Sequence, residues 1–232
     1  MRLPFPVRRL FAVAAISLGI ASPSIAQSGA PDPMLSRDKL MVVLREAMGA
    51  NKPDEGLKPT GKLRARMPDG REIEVEMAHY ELIGDMQVRF VFDGAQSMRN
   101  ATPEDLARFG LTAGEALRVA VGNVKRVYGN PRSLPWTGGV MQVKGKSPDL
   151  DSSYFLDRAF WTELGSRHPA GVVVAVPKRG GLLYVPAADV EAVNGLRKGI
   201  ASLYSSSGSL RVSSALYLFK DGKWSVFQAP IK

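Results

Sequence analysis

Two short apolar runs in the C-terminal half of the chain give its strongest hydrophobic signal. Val172–Val176 and Leu182–Val185 are rich in Val and Leu, and the basic, glycine-bearing stretch Pro177–Gly181 separates them. A continuous apolar run bounded by turn residues is typical of a strand buried on both faces. Because Gly180 and Gly181 can adopt the positive φ of a tight reversal, we predict a central hairpin here.

The N-terminal half of the mature chain changes its period from helix-like to strand-like. Ser36 resembles an N-cap, and helical spacing of the apolar residues that follow predicts a helix ending near Gly49. After a loop, Lys62–Met67 and Arg71–Ala78 alternate with period two, which predicts a half-exposed hairpin with basic residues on one strand and acidic residues on the other. The apolar residues of the predicted helix are Leu40, Val43, Leu44 and Ala47/Met48.

Further along, turn and capping residues mark the remaining elements. Thr102, followed by Pro103, predicts a helix start, and Thr112 with Glu115 forms a capping box for the next helix. The other predicted elements are a strand over Met86–Phe92, a loop over Gly129–Pro135, at most a short strand within Trp136–Lys146, a helix from Asp151 to Leu164, a helix from Asp189, and a final hairpin of Ala215–Phe219 and Trp224–Phe227. Strands grouped in hairpins with helices between them predict an α+β fold of mainly antiparallel sheet, with helices packed on one side.

The first 26 residues have the pattern of a cleaved signal peptide. A basic start precedes the apolar run Leu10–Ile20, and Ser24-Ile25-Ala26 offers small residues at a cleavage site. Cleavage after Ala26 would leave a flexible mature N-terminus over residues 27–33. We therefore expect a periplasmic or secreted protein without stable membrane insertion, exported by the general or the twin-arginine route.

Composition narrows the class of partner. The chain has 31 basic and 22 acidic residues, and the predicted signal holds three of the basic ones, so the mature net charge is +6. The chain contains no cysteine, so it must fold by packing alone. A basic exported protein can meet anionic envelope components or acidic proteins, whereas no motif supports nucleic-acid binding.

The second half resembles a known family. Its motifs are Thr102–Leu111 (Thr-Pro-Glu-Asp-Leu-Ala-Arg-Phe-Gly-Leu), Glu115–Val124, the segment that begins at Asp151, Val172–Arg179, and Tyr217 followed by Asp221–Trp224. In that order they resemble the DUF1444 (YtpQ-like) family, whose biochemical function is not established, over about residues 88–228. The resemblance implies an α+β domain over residues 86–232, with residues 34–85 as an N-terminal helix and hairpin that either join this domain or form a subdomain.

The search for chemistry yields no recognisable catalytic motif. The two histidines, His79 and His168, lack metal-ligand spacing, so neither a metal nor another cofactor is predicted. Ser166 lies two residues from His168, but no Gly-x-Ser-x-Gly elbow accompanies it. Paired carboxylates are better explained as a solvated strand face or as helix starts.

A surface hypothesis remains. Trp136 and Arg132 belong to a proline- and glycine-rich loop, and Lys178-Arg179 caps the central hairpin. We predict these four residues as binding residues, with Trp136 either an exposed anchor or folded back onto the core. The favoured function is non-enzymatic binding of a protein or an anionic envelope component. The alternatives are an envelope hydrolase using Ser166 or His168 and a carrier of a small ligand; the oligomeric state is open.

Overall fold

The computed structural model describes residues 35–94 and 97–231, with roughly equal shares of helix and strand. The strands are β1 (Leu40–Glu46), β2 (Lys58–Pro59), β3 (Lys62–Arg66), β4 (Glu72–Glu76), β5 (His79–Ile83), β6 (Met86–Asp93), β7 (Met98–Asn100), β8 (Arg132–Pro135), β9 (Met141–Lys144), β10 (Val172–Lys178), β11 (Gly181–Pro186), β12 (Leu216–Lys220) and β13 (Lys223–Gln228). The helices are α1 (Pro103–Arg108), α2 (Ala113–Tyr128), α3 (Arg158–Ser166) and α4 (Val190–Ser205), with 3₁₀ segments at Arg37–Lys39, Pro148–Leu156 and Gly208–Leu210.

The strands form three antiparallel sheets. The N-terminal sheet has the order β1-β6-β5-β2, with β7 paired to the end of β6. The central sheet has the order β13-β12-β10-β11-β9-β8, and β3 and β4 form a two-stranded sheet of their own. The predicted α+β class with mainly antiparallel sheet is confirmed.

The central hairpin is confirmed as the middle of the larger sheet. Residues 172–177 of β10 are all buried, because alternate side chains enter two different cores. Val173 and Ala175 pack in a smaller core with apolar residues of α4, whereas Val172 and Val174 join the larger core shared with the N-terminal sheet. A strand covered on both faces explains why the sequence shows a continuous apolar run rather than an alternation.

The turn of this hairpin differs from the prediction. Neither Gly180 nor Gly181 adopts positive φ. Instead, the register between β10 and β11 shifts between Ala175 and Lys178, around Pro177. Proline lacks the N–H that a ladder needs, so an irregularity at this position accommodates it.

The helix predicted after Ser36 is wrong. Leu40–Glu46 is strand β1, and Ser36 makes no side-chain capping bond to the 3₁₀ turn that follows it. All five residues of Leu40–Leu44 are buried, so both faces of the strand are covered. An unbroken apolar run contains apolar residues at helical spacing whatever structure it forms. Because this run is buried on both faces, it forms a strand.

Three further boundaries are corrected. The predicted loop at Gly129–Pro135 contains edge strand β8, which pairs with β9. The predicted helix from Asp151 is a 3₁₀ segment followed by α3, because Asp157 has a non-helical ψ of 85° and its side chain caps the new helix at the Phe160 amide. The strand predicted over Arg71–Ala78 ends at Glu76, and His79 begins strand β5.

Local signals for turns and caps are confirmed. The predicted helix start at Thr102 and the predicted capping box at Thr112 with Glu115 both form, and Thr102 also makes a capping box, with Asp105. Asp221 and Gly222 both have positive φ, at 49° and 73°, as a type I′ turn requires. The antiparallel register of β3 with β4 sets each basic residue opposite a glutamate, namely Lys62 opposite Glu76, Arg64 opposite Glu74 and Arg66 opposite Glu72.

A buried carboxylate joins the two large sheets. Asp85, in the turn between β5 and β6, is 4% exposed. Its side chain accepts hydrogen bonds from the Ser213 hydroxyl, from the Ser214 amide at 3.0 Å and hydroxyl at 3.2 Å, and from the Tyr217 hydroxyl at 3.0 Å. Because these donors lie in and just before β12, the bonds fix the N-terminal sheet against the central sheet. We call Asp85, Ser213, Ser214 and Tyr217 the Asp85 network.

The predicted signal peptide (residues 1–26) and mature N-terminus (27–33) lie outside the described residues. Within residues 35–94 and 97–231, no helix combines the length and the apolar character that a membrane crossing demands.

Candidate anion-binding site

Three arginines and a histidine from distant parts of the chain meet between the N-terminal sheet and the turn of the central hairpin. We call Arg45, Arg89, Arg179 and His79 the arginine cluster. The register of the N-terminal sheet places three of them on one face. Arg89 on β6 pairs with His79 on β5 and with Val43 on β1, and Arg45 lies two residues after Val43. Side chains two residues apart on a strand share a face, so Arg45 is a diagonal neighbour of Arg89.

The 3₁₀ segment Pro148–Leu156 brings Arg179 to this sheet. The Ser152 amide donates to the Arg179 carbonyl at 2.7 Å, and the hydroxyl of the next residue, Ser153, donates to the Val42 carbonyl at 2.7 Å. On its other side the Arg179 amide donates to the Leu210 carbonyl at 3.1 Å. These bonds therefore hold the hairpin turn near β1, and none of them uses the guanidinium group of Arg179.

Several buried polar atoms of the cluster have no hydrogen-bond partner among the described residues. They include Nε of Arg89, Nε of Arg179 and Nε2 of His79, a residue that is 4% exposed. Ser152, next to Arg179, is 1% exposed and its hydroxyl is unpartnered as well. Buried polar groups are nearly always paired in folded proteins, so a group of unpaired donors at one place indicates capacity for a ligand or for water.

The charges of the cluster act on each other. Burial, and then the charges of Arg179 and Arg89, lower the pKa of Arg45 to about 10, while Asp149 acts in the opposite direction. Burial and the Arg179 charge lower the pKa of Arg89. Burial, and then the Arg89 charge, lower the pKa of His79 to about 4. At neutral pH the cluster therefore consists of three cations beside a neutral imidazole.

Such an arrangement suits an anion. Guanidinium groups are planar, remain charged, and offer paired donors that match carboxylate and phosphate oxygens. Like charges held together are costly without a counter-charge, and the one carboxylate that acts on Arg45 is that of Asp149. Arg45 itself donates one hydrogen bond, to the Leu44 carbonyl at 2.7 Å, which uses one of the five N–H groups of its guanidinium.

The structure separates the four residues that the sequence predicted as one surface. Arg179 belongs to the arginine cluster, whereas the neighbouring Lys178 is exposed. Arg132 pairs with Lys144 at the end of the central sheet that also carries the hairpin turn, whereas Trp136 lies at the opposite end. These residues therefore do not form one continuous binding patch around Trp136.

Trp136 stands in the turn between β8 and β9 and is 47% exposed. It lines a groove of about 320 Å³ with Leu196, Leu203 and two glycines of α4, Gly195 and Gly199. The exposed alternative for Trp136 is thus the observed one, in a mostly apolar groove whose lining contains no charged side chain.

Ser166 and His168, the residues of the hydrolase alternative, line the same cavity, but no hydrogen bond joins their side chains. Ser166, His168 and Asp221 line a cavity of about 270 Å³. The Ser166 hydroxyl donates to the Glu163 carbonyl at 2.7 Å, a bond that closes the C-terminal turn of α3. No bond from the His168 side chain to Ser166 or Asp221 is present, although a general base must reach its nucleophile.

Metal binding finds no support in the part of the chain that the structure describes. Across residues 35–94 and 97–231, no three His, Cys, Asp or Glu side chains come together as metal ligands would.

Sequence reasoning missed Arg45, Arg89 and His79 as site residues. Arg45 was hidden by the wrong helix assignment, and His79 was considered only as a metal ligand. Arg89 carries a usable signal, because it is the one charged residue of Met86–Phe92, a stretch that is apolar apart from Gln87 and Arg89. A cation in a strand of this kind predicts a special environment, but the sequence does not show which residues share that environment.

Comparisons with known proteins add no relative: no protein-family model, no curated protein and no solved structure matches the chain. The resemblance to the DUF1444 family stays a prediction.

Proposed function

We propose that the mature chain is an exported, non-enzymatic binding protein, periplasmic or secreted, that engages an anionic group of an envelope component or partner protein through the arginine cluster. One observation carries the proposal: the buried Nε atoms of Arg89 and Arg179 have no hydrogen-bond partner among the described residues, at a place where three arginines act on one another electrostatically.

The surroundings of the cluster support a binding role. Arg89 and Arg179 are half-buried rather than enclosed, so part of each residue is in contact with solvent. The mature net charge of +6 would favour the approach of an anionic partner over long range. The N-terminal pattern of a signal peptide supports export.

Thermal unfolding in different anions tests this function. The purified protein is heated in sodium sulfate, in sodium phosphate and in sodium chloride at equal ionic strength. A ligand that binds the folded state raises its stability in proportion to the logarithm of ligand concentration. We expect sulfate or phosphate to raise the unfolding midpoint above that in chloride, and Arg179→Gln to remove the increase.

Lys178→Gln is the matched control, since it removes one positive charge from the adjacent, exposed position. It should keep the anion-dependent increase. Equal increases in the Arg179→Gln and Lys178→Gln variants would show a general salt effect and would refute the site.

A further inference from the structure

The charge balance of the arginine cluster points to a particular class of anion, an inference that rests on the proposed function. We propose that the cluster takes a doubly charged tetrahedral oxyanion of the phosphate type, free or as a monoester, in preference to a single carboxylate.

Counting charges gives the first reason. Arg45, Arg89 and Arg179 contribute three positive charges, and Asp149 offsets one of them. His79 contributes none at neutral pH, because its pKa is about 4. The remaining charge of +2 is neutralised by one dianion, whereas a monocarboxylate would leave an uncompensated cation in a half-buried place.

The distribution of donors gives the second reason. The cluster approaches from two directions, with Arg45, Arg89 and His79 on the N-terminal sheet and Arg179 on the hairpin turn. The unpaired Nε atoms of Arg89 and Arg179 belong to different elements, and the unpaired Ser152 hydroxyl lies beside the turn. A tetrahedral oxyanion presents oxygens in several directions, while a carboxylate presents two in one plane, so the tetrahedral group matches the cluster better.

Isothermal titration calorimetry separates the possibilities. The probes are methyl phosphate, inorganic phosphate, sulfate and acetate, at constant ionic strength. At about pH 8 we expect the three tetrahedral dianions to bind about tenfold or more tightly than acetate, the effect of one additional charge-assisted contact.

Lowering the pH to about 5 isolates the ligand charge. A phosphate monoester has its second pKa near 6, so methyl phosphate becomes a monoanion there, whereas sulfate stays doubly charged. Over this range Arg45 stays charged and His79 stays neutral. The affinity for methyl phosphate should therefore fall severalfold on acidification, and the affinity for sulfate should change less.

The variants separate failure of this inference from failure of the proposed function. Arg89→Met should abolish binding of every probe. Lys178→Met should leave the affinity for every probe unchanged. If Arg89→Met does not fold, Arg179→Gln takes its place in the experiment. Acetate binding as tightly as phosphate, with Arg89 required, would overturn the phosphate preference and leave anion binding intact. Probes that do not bind, or that bind Arg89→Met equally well, would overturn both.

The same titration distinguishes two sources of the group. Binding of methyl phosphate as tight as that of inorganic phosphate supports a monoester, such as a headgroup. Binding of inorganic phosphate alone supports free phosphate. Either result supports the dianionic class.

Discussion

Within residues 35–94 and 97–231, the Asp85 network and the arginine cluster are two groups of inward-facing polar side chains built on opposite plans. In the Asp85 network, one carboxylate is surrounded by neutral donors from Ser213, Ser214 and Tyr217, and its two oxygens are used. In the arginine cluster, three cations lie together, Asp149 acts on Arg45, and the Nε atoms of Arg89 and Arg179 have no partner among the described residues. The first arrangement is complete without a ligand, and the second is not.

The difference shows how burial of charge serves two purposes in one fold. A buried anion whose hydrogen bonds are all made fixes two sheets in one relative position, at a desolvation cost that the bonds offset. Unpaired cations cost stability in the absence of a ligand, and that cost is recovered when an anion binds. The predictions below test this contrast, beginning with the largest effect.

Removing the Asp85 carboxylate should destabilise the protein most. Asp85→Ala leaves the buried hydroxyls of Ser213 and Tyr217 and the Ser214 amide without their acceptor, so we expect a loss of about 3 kcal/mol or more in the free energy of unfolding. Urea unfolding measures it. Asp85→Asn, which keeps the shape and one acceptor oxygen, should lose less, and the exposed Glu191→Gln should change stability by less than about 0.5 kcal/mol.

Acid should destabilise the folded protein through His79, a member of the arginine cluster. Its pKa is about 4 in the folded protein against an ordinary 6.5, so the unfolded chain binds the proton more readily between these values. Stability should therefore fall as the pH drops from about 6.5 to 4, and the contribution of His79 to that fall should be roughly 2 to 3 kcal/mol.

Comparing His79→Gln with His168→Gln in urea unfolding across this pH range isolates the effect. The first substitution should flatten the profile, and the second should keep the wild-type slope. A wild-type slope in His79→Gln would show that His79 is not held neutral by burial and by Arg89.

Replacing an arginine of the cluster should have the opposite sign to replacing Asp85. We expect Arg89→Met to stabilise the anion-free protein by about 1 kcal/mol, because it relieves repulsion and desolvation of an unpaired cation. Urea unfolding in chloride buffer, free of phosphate and sulfate, measures this. Exposed Arg64→Met on β3 serves as control, and a loss of stability in Arg89→Met comparable to that of Asp85→Ala would place both clusters in the same structural class.

The smallest effects should come from the exposed residues of the predicted surface. Lys178→Ala should change the free energy of unfolding by less than about 1 kcal/mol, since its side chain is exposed, and Trp136→Ala by somewhat more, since Trp136 is 47% exposed and the rest of it packs in the groove with α4. Neither should change sulfate affinity by more than about twofold, because neither belongs to the arginine cluster. A large loss of sulfate affinity in Trp136→Ala would show that the binding site lies at the β8–β9 turn instead.

What the sequence predicts well in this chain is local. The Thr102 and Thr112 caps, the Asp221-Gly222 turn and the apolar strands of the central hairpin each depend on residues within one or two turns of chain. The strand Leu40–Glu46 was missed because its apolar run fits two periods, and burial by the rest of the fold decides between them. Arg179 was predicted as a binding residue, but its partners Arg45 and Arg89 reach it only through sheet register and the bonds of Ser152 and Ser153.

The most direct test follows the side-chain Nε–H signals of Arg89 and Arg179 by ¹⁵N NMR while sulfate is added at constant ionic strength. Both signals should shift with one saturable binding curve, and their exchange with water should slow, because each Nε–H gains an acceptor. The signals of exposed arginines such as Arg64 should not follow this curve. Unchanged Arg89 and Arg179 signals at saturating sulfate would contradict the central claim that these unpaired donors form an anion site.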